Sequence, residues 1–217
     1  HNSDEIEAGS QIIQLAHHYR KAGRSQEAAA YLRQAGNLAL DLAAYDEAKI
    51  HFEEALQLLA DFEQSEKRDR LELELLLPLG RCYYLVRGNT DQSVLDLFSH
   101  AVEIATRLPD GKAKIASNLG LWNYFLSTAA SVQALALAER LHKEAVVCRV
   151  PVQQAAAFAL ARSREAIGEF QGSLEICDLA LALSSTEPNT TATMTELDGL
   201  AACHSEKARV LWALGFP

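Results

Sequence analysis

Turn-forming and aromatic residues are scarce in this sequence: five prolines and eleven glycines serve 217 residues, and aromatics make up 7%. An architecture of short strands needs a turn signal every 10 residues or so, and there are too few breakers here to supply them. Cysteine is scarce too. Cys82, Cys148, Cys177 and Cys203 stand far apart, with no C-x-x-C pair and no short His/Cys cluster. That excludes a disulfide scaffold and a zinc module, and leaves four apolar thiols expected to be buried in a reducing cytosol. Positive charge is also short, with a net charge of −9 and no stretch gathering five or more Lys and Arg. Such a chain repels phosphate backbones, so nucleic acid is not an expected partner. Long hydrophobic runs are missing: stretches such as Leu75–Leu79 are interrupted well before the roughly 20 residues a membrane span requires. No signal peptide opens the chain, and a cytoplasmic, membrane-free protein is expected.

What is present is ordinary for a chain that folds in water: 49% hydrophobic and 23% charged residues, with Ala and Leu recurring at helical spacing. The polar residues 1–9 are read as a disordered tail or one foreign to the natural protein, with helical patterning from Ser10. Breaks fall at Gly23–Ser25, Ala43–Tyr45, Asp61–Ser65, Arg87–Asn89, Leu108–Gly111, Ser127–Ala130, Arg149–Pro151, Gly168–Glu169 and Ser184–Thr195, which leaves about ten helices. Ser25, Thr90, Asp110, Ser131 and Thr195 are candidate helix caps, and Pro151 suits a first helical turn. Short connections favour antiparallel neighbours, and a succession of such pairs predicts a stacked solenoid. Residues 10–217 form one repeat domain in this reading, cut after the first helix of its last hairpin: Thr195–Leu214 ends in Gly215-Phe216-Pro217 with no partner helix.

Two helices pack closely when a small residue on one meets small and aromatic residues on the next. Gly36, Ala48, Phe52 and Ala55, with Tyr45 entering the second helix, have the spacing of that seam. It recurs as Gly80, Val94, Phe98 and Ala101 with two extra turn residues, as Trp122, Ala134, Ala138 and Leu141, and as Ala161, Ser173, Cys177 and Ala180. The spacing is the tetratricopeptide one, with a longer period. The fold class expected is therefore all-α: a tetratricopeptide-like, right-handed superhelix of antiparallel hairpins.

A more specific likeness lies in Leu15-Ala-His-His-Tyr19, Ala22-Gly23, Tyr31-Leu-Arg-Gln-Ala-Gly36, Tyr45-Asp-Glu-Ala48 and His51-Phe-Glu-Glu-Ala-Leu56. Leu119-Gly-Leu-Trp-Asn-Tyr-Phe125, Ala201-Ala-Cys-His204 and Leu211-Trp-Ala-Leu-Gly-Phe-Pro217 continue it over nearly the whole chain. This succession resembles the repeat region of large bacterial regulators, in which a cyclase or DNA-binding domain is joined to an AAA-type or STAND ATPase and then to tetratricopeptide repeats. The resemblance implies a non-catalytic coupling region whose partners include the ATPase and cyclase domains of its own chain. Ser173, where a small Ala is usual, and Ser127-Thr-Ala-Ala130, where a Gly turn is usual, depart from the pattern.

Chemistry-bearing motifs are weak. His17 and His18 are adjacent, so on a helix they point about 100° apart and do not share one metal ion; one is expected in the seam beneath Tyr19, the other in solvent. His51, His100, His142 and His204 stand alone, without a carboxylate or thiol at ligand spacing. Glu53-Glu54 and Glu72-x-Glu74 read as solvated helix faces. Gly111-Lys112 lacks the preceding glycines of a phosphate loop, and Asn189-Thr190-Thr191 is a glycosylation pattern without a secretory context. No catalytic residue, metal ligand or cofactor is assigned, and the chain is expected not to be an enzyme.

First helices of stacked hairpins line one face, which makes Arg33, Asn37, Arg81, Tyr84, Asn123 and Arg162 the candidate partner-binding residues. Arg33 and Asn37, one turn apart, resemble two members of the clamp with which some tetratricopeptide domains hold a peptide carboxylate. The expected function is a protein–protein interaction or signal-coupling module that takes a protein or peptide, acidic in chemistry, in its groove. A small-molecule sensor lined by Trp122, Tyr124 and Phe125 is the alternative, with a helical-repeat enzyme behind it.

Overall fold

The computed structural model describes residues 2–60, 62–183 and 199–216. Among them are ten helices and no strand: α1 (Asn2–Lys21), α2 (Ser25–Asp41), α3 (Tyr45–Leu59), α4 (Glu66–Arg87), α5 (Gln92–Arg107), α6 (Gly111–Ser127), α7 (Ser131–Ala145), α8 (Val150–Ala166), α9 (Phe170–Ala182) and α10 (Gly199–Ala213). Two compact units divide them, His1–Leu108 with α1 to α5 and Pro109–Pro217 with α6 to α10. Within each unit, consecutive described helices pack side by side.

Apolar spacing explains which faces turn inward. On α5, Val94, Leu97, Phe98, Ala101, Ile104 and Ala105 form one buried stripe with a period near 3.6 residues. The anticipated seams are all buried: Gly36 with Ala48, Phe52 and Ala55; Gly80 with Val94, Phe98 and Ala101; Trp122 with Ala134, Ala138 and Leu141; Ala161 with Ser173, Cys177 and Ala180. Closeness is what the glycines provide. A Cβ built on Gly36 would lie 2.6 Å from Phe52, and one on Gly80 would lie 2.5 Å from Phe98. A fifth instance of the same spacing escaped the sequence reading: Ala16, Ala28, Leu32 and Ala35, all buried between α1 and α2. Leu32 takes the place of the aromatic there. Helix α2 thus serves as second helix to α1 and as first helix to α3.

Five helix ends share one turn. Arg24, Ala44, Ala130, Glu169 and Phe216 each donate a backbone N–H to the carbonyl five residues earlier, at 2.8–2.9 Å. This double-bonded helix terminus requires a left-handed residue just before, occupied by Gly23, Gly168 and Gly215, but by Ala43 and Ala129 elsewhere. At Arg24, Ala44, Ala130 and Glu169 the turn runs into the next helix with that single intervening residue, so Ser25 and Ser131 are first helical residues and not side-chain caps. Thr90 is displaced as a cap by Asp91, whose carboxylate accepts from Ser93 N at 2.8 Å. Asp110 caps α6 as expected, and Ser65 caps α4. Pro151 lies in the first turn of α8. Thr195 and Asn189-Thr190-Thr191 lie outside the described residues.

Helix α1 begins at Asn2, ahead of the expected start at Ser10. Residues 2–9 lack the apolar stripe by which a helix is recognised in sequence, yet nothing in them breaks one. Helix α4 continues through Pro78, which has no N–H for the carbonyl of Glu74. Pro78 and its neighbours Leu75, Leu76 and Leu79 are buried, so packing outweighs the missing bond.

Candidate functional site

In the first unit, Arg33 and Asn37 lie on α2, and Arg81 and Tyr84 on α4. Asn37 is exposed and the other three are half-buried. Arg33 does not stand free. Its guanidinium donates to the Glu74 carboxylate on α4, tying one first helix to the next, while its Nε is buried without a partner. In the second unit Asn123 and Arg162 are half-buried on α6 and α8, and Arg162 pairs with Glu165 one turn on. Arg33 and Arg162 are therefore already neutralised by a carboxylate of the same chain.

A cleft of about 1190 Å³ opens beside the Arg33–Glu74 pair, nearer the starts of α2 and α4. Gln26, Glu27, Ala30, Lys67, Arg70 and Glu74 line it together with the segment 62–66. None of the six expected residues is among its lining. Its charges are mixed and largely matched: Arg70 bonds Glu66 at 2.8 Å, Arg24 holds Glu27, and Arg68 donates to the Leu59 carbonyl at 3.1 Å. The signal available in sequence was the α3–α4 connection, longer than the shared turn and ending in the cap Ser65.

Beside the cleft, α4 carries a buried polar network, and one of its members, Glu72, is a residue that the sequence suggests is solvated. Asp69, nearly fully buried, accepts both arms of the Arg107 guanidinium at 2.9 and 2.7 Å, plus Gln64. The bonds from Arg107 hold its carboxyl below the usual carboxylate range. Glu72, also buried, bonds His100 at 2.8 Å and lies 3.7 Å from Arg68. His100 thus has a carboxylate partner that no local spacing reveals, because 28 residues separate the two. Of the carboxylates read as solvated, Glu53 accepts from Tyr83 at 2.9 Å and Glu74 holds Arg33. Burial, reinforced by Glu53, pushes the Tyr83 phenol up to about 12.

His17 and His18 are both exposed, and neither packs beneath Tyr19. Tyr19 instead stacks on Tyr31, centroids 5.3 Å apart, with Arg24 over its ring. Trp122 belongs to a packed core: it is buried, donates to Ser163 at 2.8 Å, and meets Phe158 edge-on. Cys82, Cys177 and Cys203 are buried, and burial pushes their thiols up to about 11, 12 and 11. Thiols so protonated at neutral pH are poor nucleophiles and poor metal ligands. Among the described residues no group of three or more His, Cys, Asp or Glu is placed to hold a metal ion. No described helix is long and apolar enough to cross a membrane.

Comparison with solved structures gives the repeat its type. Over 95% of this chain and 86% of the other, it aligns at a TM-score of 0.51 and 21% identity with a structure of nearly identical TPR-like repeats assigned to a kinesin light chain of Podosopora anserina. A singly substituted form of that protein aligns at 0.52 with the same identity and coverage. The fold is tetratricopeptide-like. Comparisons with protein-family models and with curated proteins find no match. In tetratricopeptide terms, Gly36, Gly80, Trp122 and Ala161 are the small-residue anchors of first helices, with Trp122 the one bulky exception.

Proposed function

We propose that this chain is a non-catalytic interaction module, coupling a protein or peptide, or a neighbouring domain of its parent regulator, through the surface of its first helices. The observation that carries this reading is the division of labour within each first helix: the anchors are consumed by the seams, while Arg33, Arg81, Tyr84, Asn123 and Arg162 stay partly accessible and Asn37 is exposed. The likeness of 15–56, 119–125 and 201–217 to the repeat region of cyclase- and ATPase-bearing regulators supports a cytoplasmic parent of that kind, and makes its own catalytic domains the first partners to test. In the first unit the α2–α4 surface is the stronger candidate, because the cleft there adds a concavity next to Arg33.

An acidic partner has to displace Glu74 from Arg33, or Glu165 from Arg162, before either arginine can grip it. Exchange of one charge-assisted bond for another leaves a small net gain, so affinity should be modest and salt-sensitive. The test is titration of the chain, and of an Arg33→Ala/Arg81→Ala variant, against the parent ATPase or cyclase domain. The variant is expected to bind at least tenfold more weakly while melting within a few degrees of the parent chain. Equal binding by both proteins would remove the α2–α4 surface from consideration.

A further inference from the structure

Helices α8 and α10 meet across a cluster of two guanidiniums and two carboxylates. Arg162 donates to Glu165 one turn on along α8, and Arg209 donates to Glu206 one turn back along α10. Glu165 joins the two pairs, because its Oε1 lies 4.0 Å from Arg209 Nε. It therefore marks a place from which one carboxylate reaches both guanidiniums.

Depth separates the two acids. The Glu206 side chain is 1% exposed and that of Glu165 17%, while Arg209 reaches the surface at 40%. Glu165 can be exchanged by a rotation of its side chain; Glu206 is held on the face of α10 that is buried against α8 and α9. Its Oε2 accepts from Arg209, but its Oε1 is buried without a hydrogen-bond partner, as is Arg209 Nε. A buried carboxylate left half unsatisfied is costly in its ionised form. The titratable and charged groups that face it are Arg162 and Glu165 from α8, Cys177 from α9, and Cys203 and Arg209 on its own helix. Both thiols are neutral at physiological pH, so the arginines alone favour the ionised acid, and burial outweighs them.

Charge balance connects the proton on Glu206 to binding. With Glu206 ionised, the two carboxylates cancel the two guanidiniums and leave no surplus charge for an acidic partner. With Glu206 protonated, Arg209 is released from its pair and the cluster carries one net positive charge. Conversely, an incoming carboxylate draws both guanidiniums toward itself and adds negative charge, which strengthens the hold of Glu206 on its proton. Arg33 in the first unit differs, since its partner Glu74 is exposed and can be exchanged without a proton.

We propose that Arg162 and Arg209 together bind a carboxylate of an acidic partner in the place of Glu165, and that Glu206 takes up one proton from solvent as they do so. The inference rests on the reading of this chain as an interaction module, and makes recognition by the second unit tighten with acid. The α2–α4 surface takes no part in it, so the two readings fail separately.

The probe is a capped peptide alternating aspartate with glycine, labelled for fluorescence anisotropy and titrated with the intact chain at pH 7.5 and pH 5.0, both above the aspartate range. The unaltered chain is expected to bind at least fivefold more tightly at pH 5.0. Glu206→Gln, which keeps the shape of the protonated acid, should bind at pH 7.5 as tightly as the unaltered chain does at pH 5.0, and change less than twofold between the two. Arg209→Gln should bind at least fivefold more weakly at pH 5.0. Calorimetry in two buffers of different ionisation enthalpy should show protons taken up by the unaltered chain on binding, and the absence of uptake overturns the proposal without recourse to a variant. An equal pH response in the unaltered chain and Glu206→Gln puts the proton on a histidine or on the peptide, and overturns the coupling while the interaction module stands. Binding that is absent at pH 5.0, or that survives Arg162→Ala/Arg209→Gln undiminished, overturns the site itself.

Discussion

Ala43 and Ala129 occupy left-handed backbone at φ 57° where three equivalent turns use glycine. A Cβ in that conformation costs about 1–2 kcal/mol, and replacement by glycine returns about 0.4–1 kcal/mol of that as unfolded-chain entropy. Ala43→Gly and Ala129→Gly should therefore each raise stability by up to about 1 kcal/mol, read as a shift in denaturation midpoint at constant slope. Gly168→Ala, with no atom within 4 Å of its Cβ position, should lose a similar amount through backbone strain alone. If all three variants melt together, the strain is being relieved elsewhere in the turn. Ser127-Thr-Ala-Ala130 was legible in sequence as a departure from the usual glycine turn; the structure shows the turn kept and the strain carried by Ala129.

At the scale of helix pairs, the fit of Gly36 against Phe52 makes a sharper claim than burial does. Gly36→Ala places a methyl inside the van der Waals boundary of Phe52, a fully buried ring, and should cost about 1–3 kcal/mol. Phe52→Leu leaves a void and should cost about 1–3 kcal/mol by itself. Combined, the two should cost less than their sum, because each makes room for or fills what the other changes. Strict additivity in chemical denaturation would show that the pair does not share one volume. Ala48→Leu, at a fully buried position, should cost about 1–3 kcal/mol with no partner able to compensate.

Across the whole molecule, two buried carboxylates give the two units opposite responses to pH. Asp69 in the first unit is held low, chiefly by the Arg107 bonds. Its stabilisation is therefore present above its unfolded value of about 3.9 and is lost as pH falls through the lower folded value. Glu206 in the second unit is pushed up by burial, against the pull of Arg209 and Arg162. Its contribution is greatest below its unfolded value of about 4.3 and is lost as pH rises through the higher folded value. Denaturation between pH 3 and 7 should show Asp69→Asn flattening the acid loss and Glu206→Gln flattening the loss on the alkaline side. Unchanged slopes in either variant would mean that the carboxylate concerned is solvated in the folded chain.

The sequence by itself determined the all-helical class, most helix boundaries and the four seams from Gly36, Gly80, Trp122 and Ala161, because these follow from local periodicity and from breakers. It also placed the six partner-binding candidates on first helices. Tertiary structure alone decided what those side chains meet. Arg33 and Glu74 are 41 residues apart, Arg107 and Asp69 are 38, and no helical period links them. Likewise the seam at Ala16 shows itself in the joint burial of Ala16, Ala28, Leu32 and Ala35. Local spacing fixes which face of a helix turns inward; partners across a seam are chosen by packing volume and charge compensation, which exist only once the chain has folded.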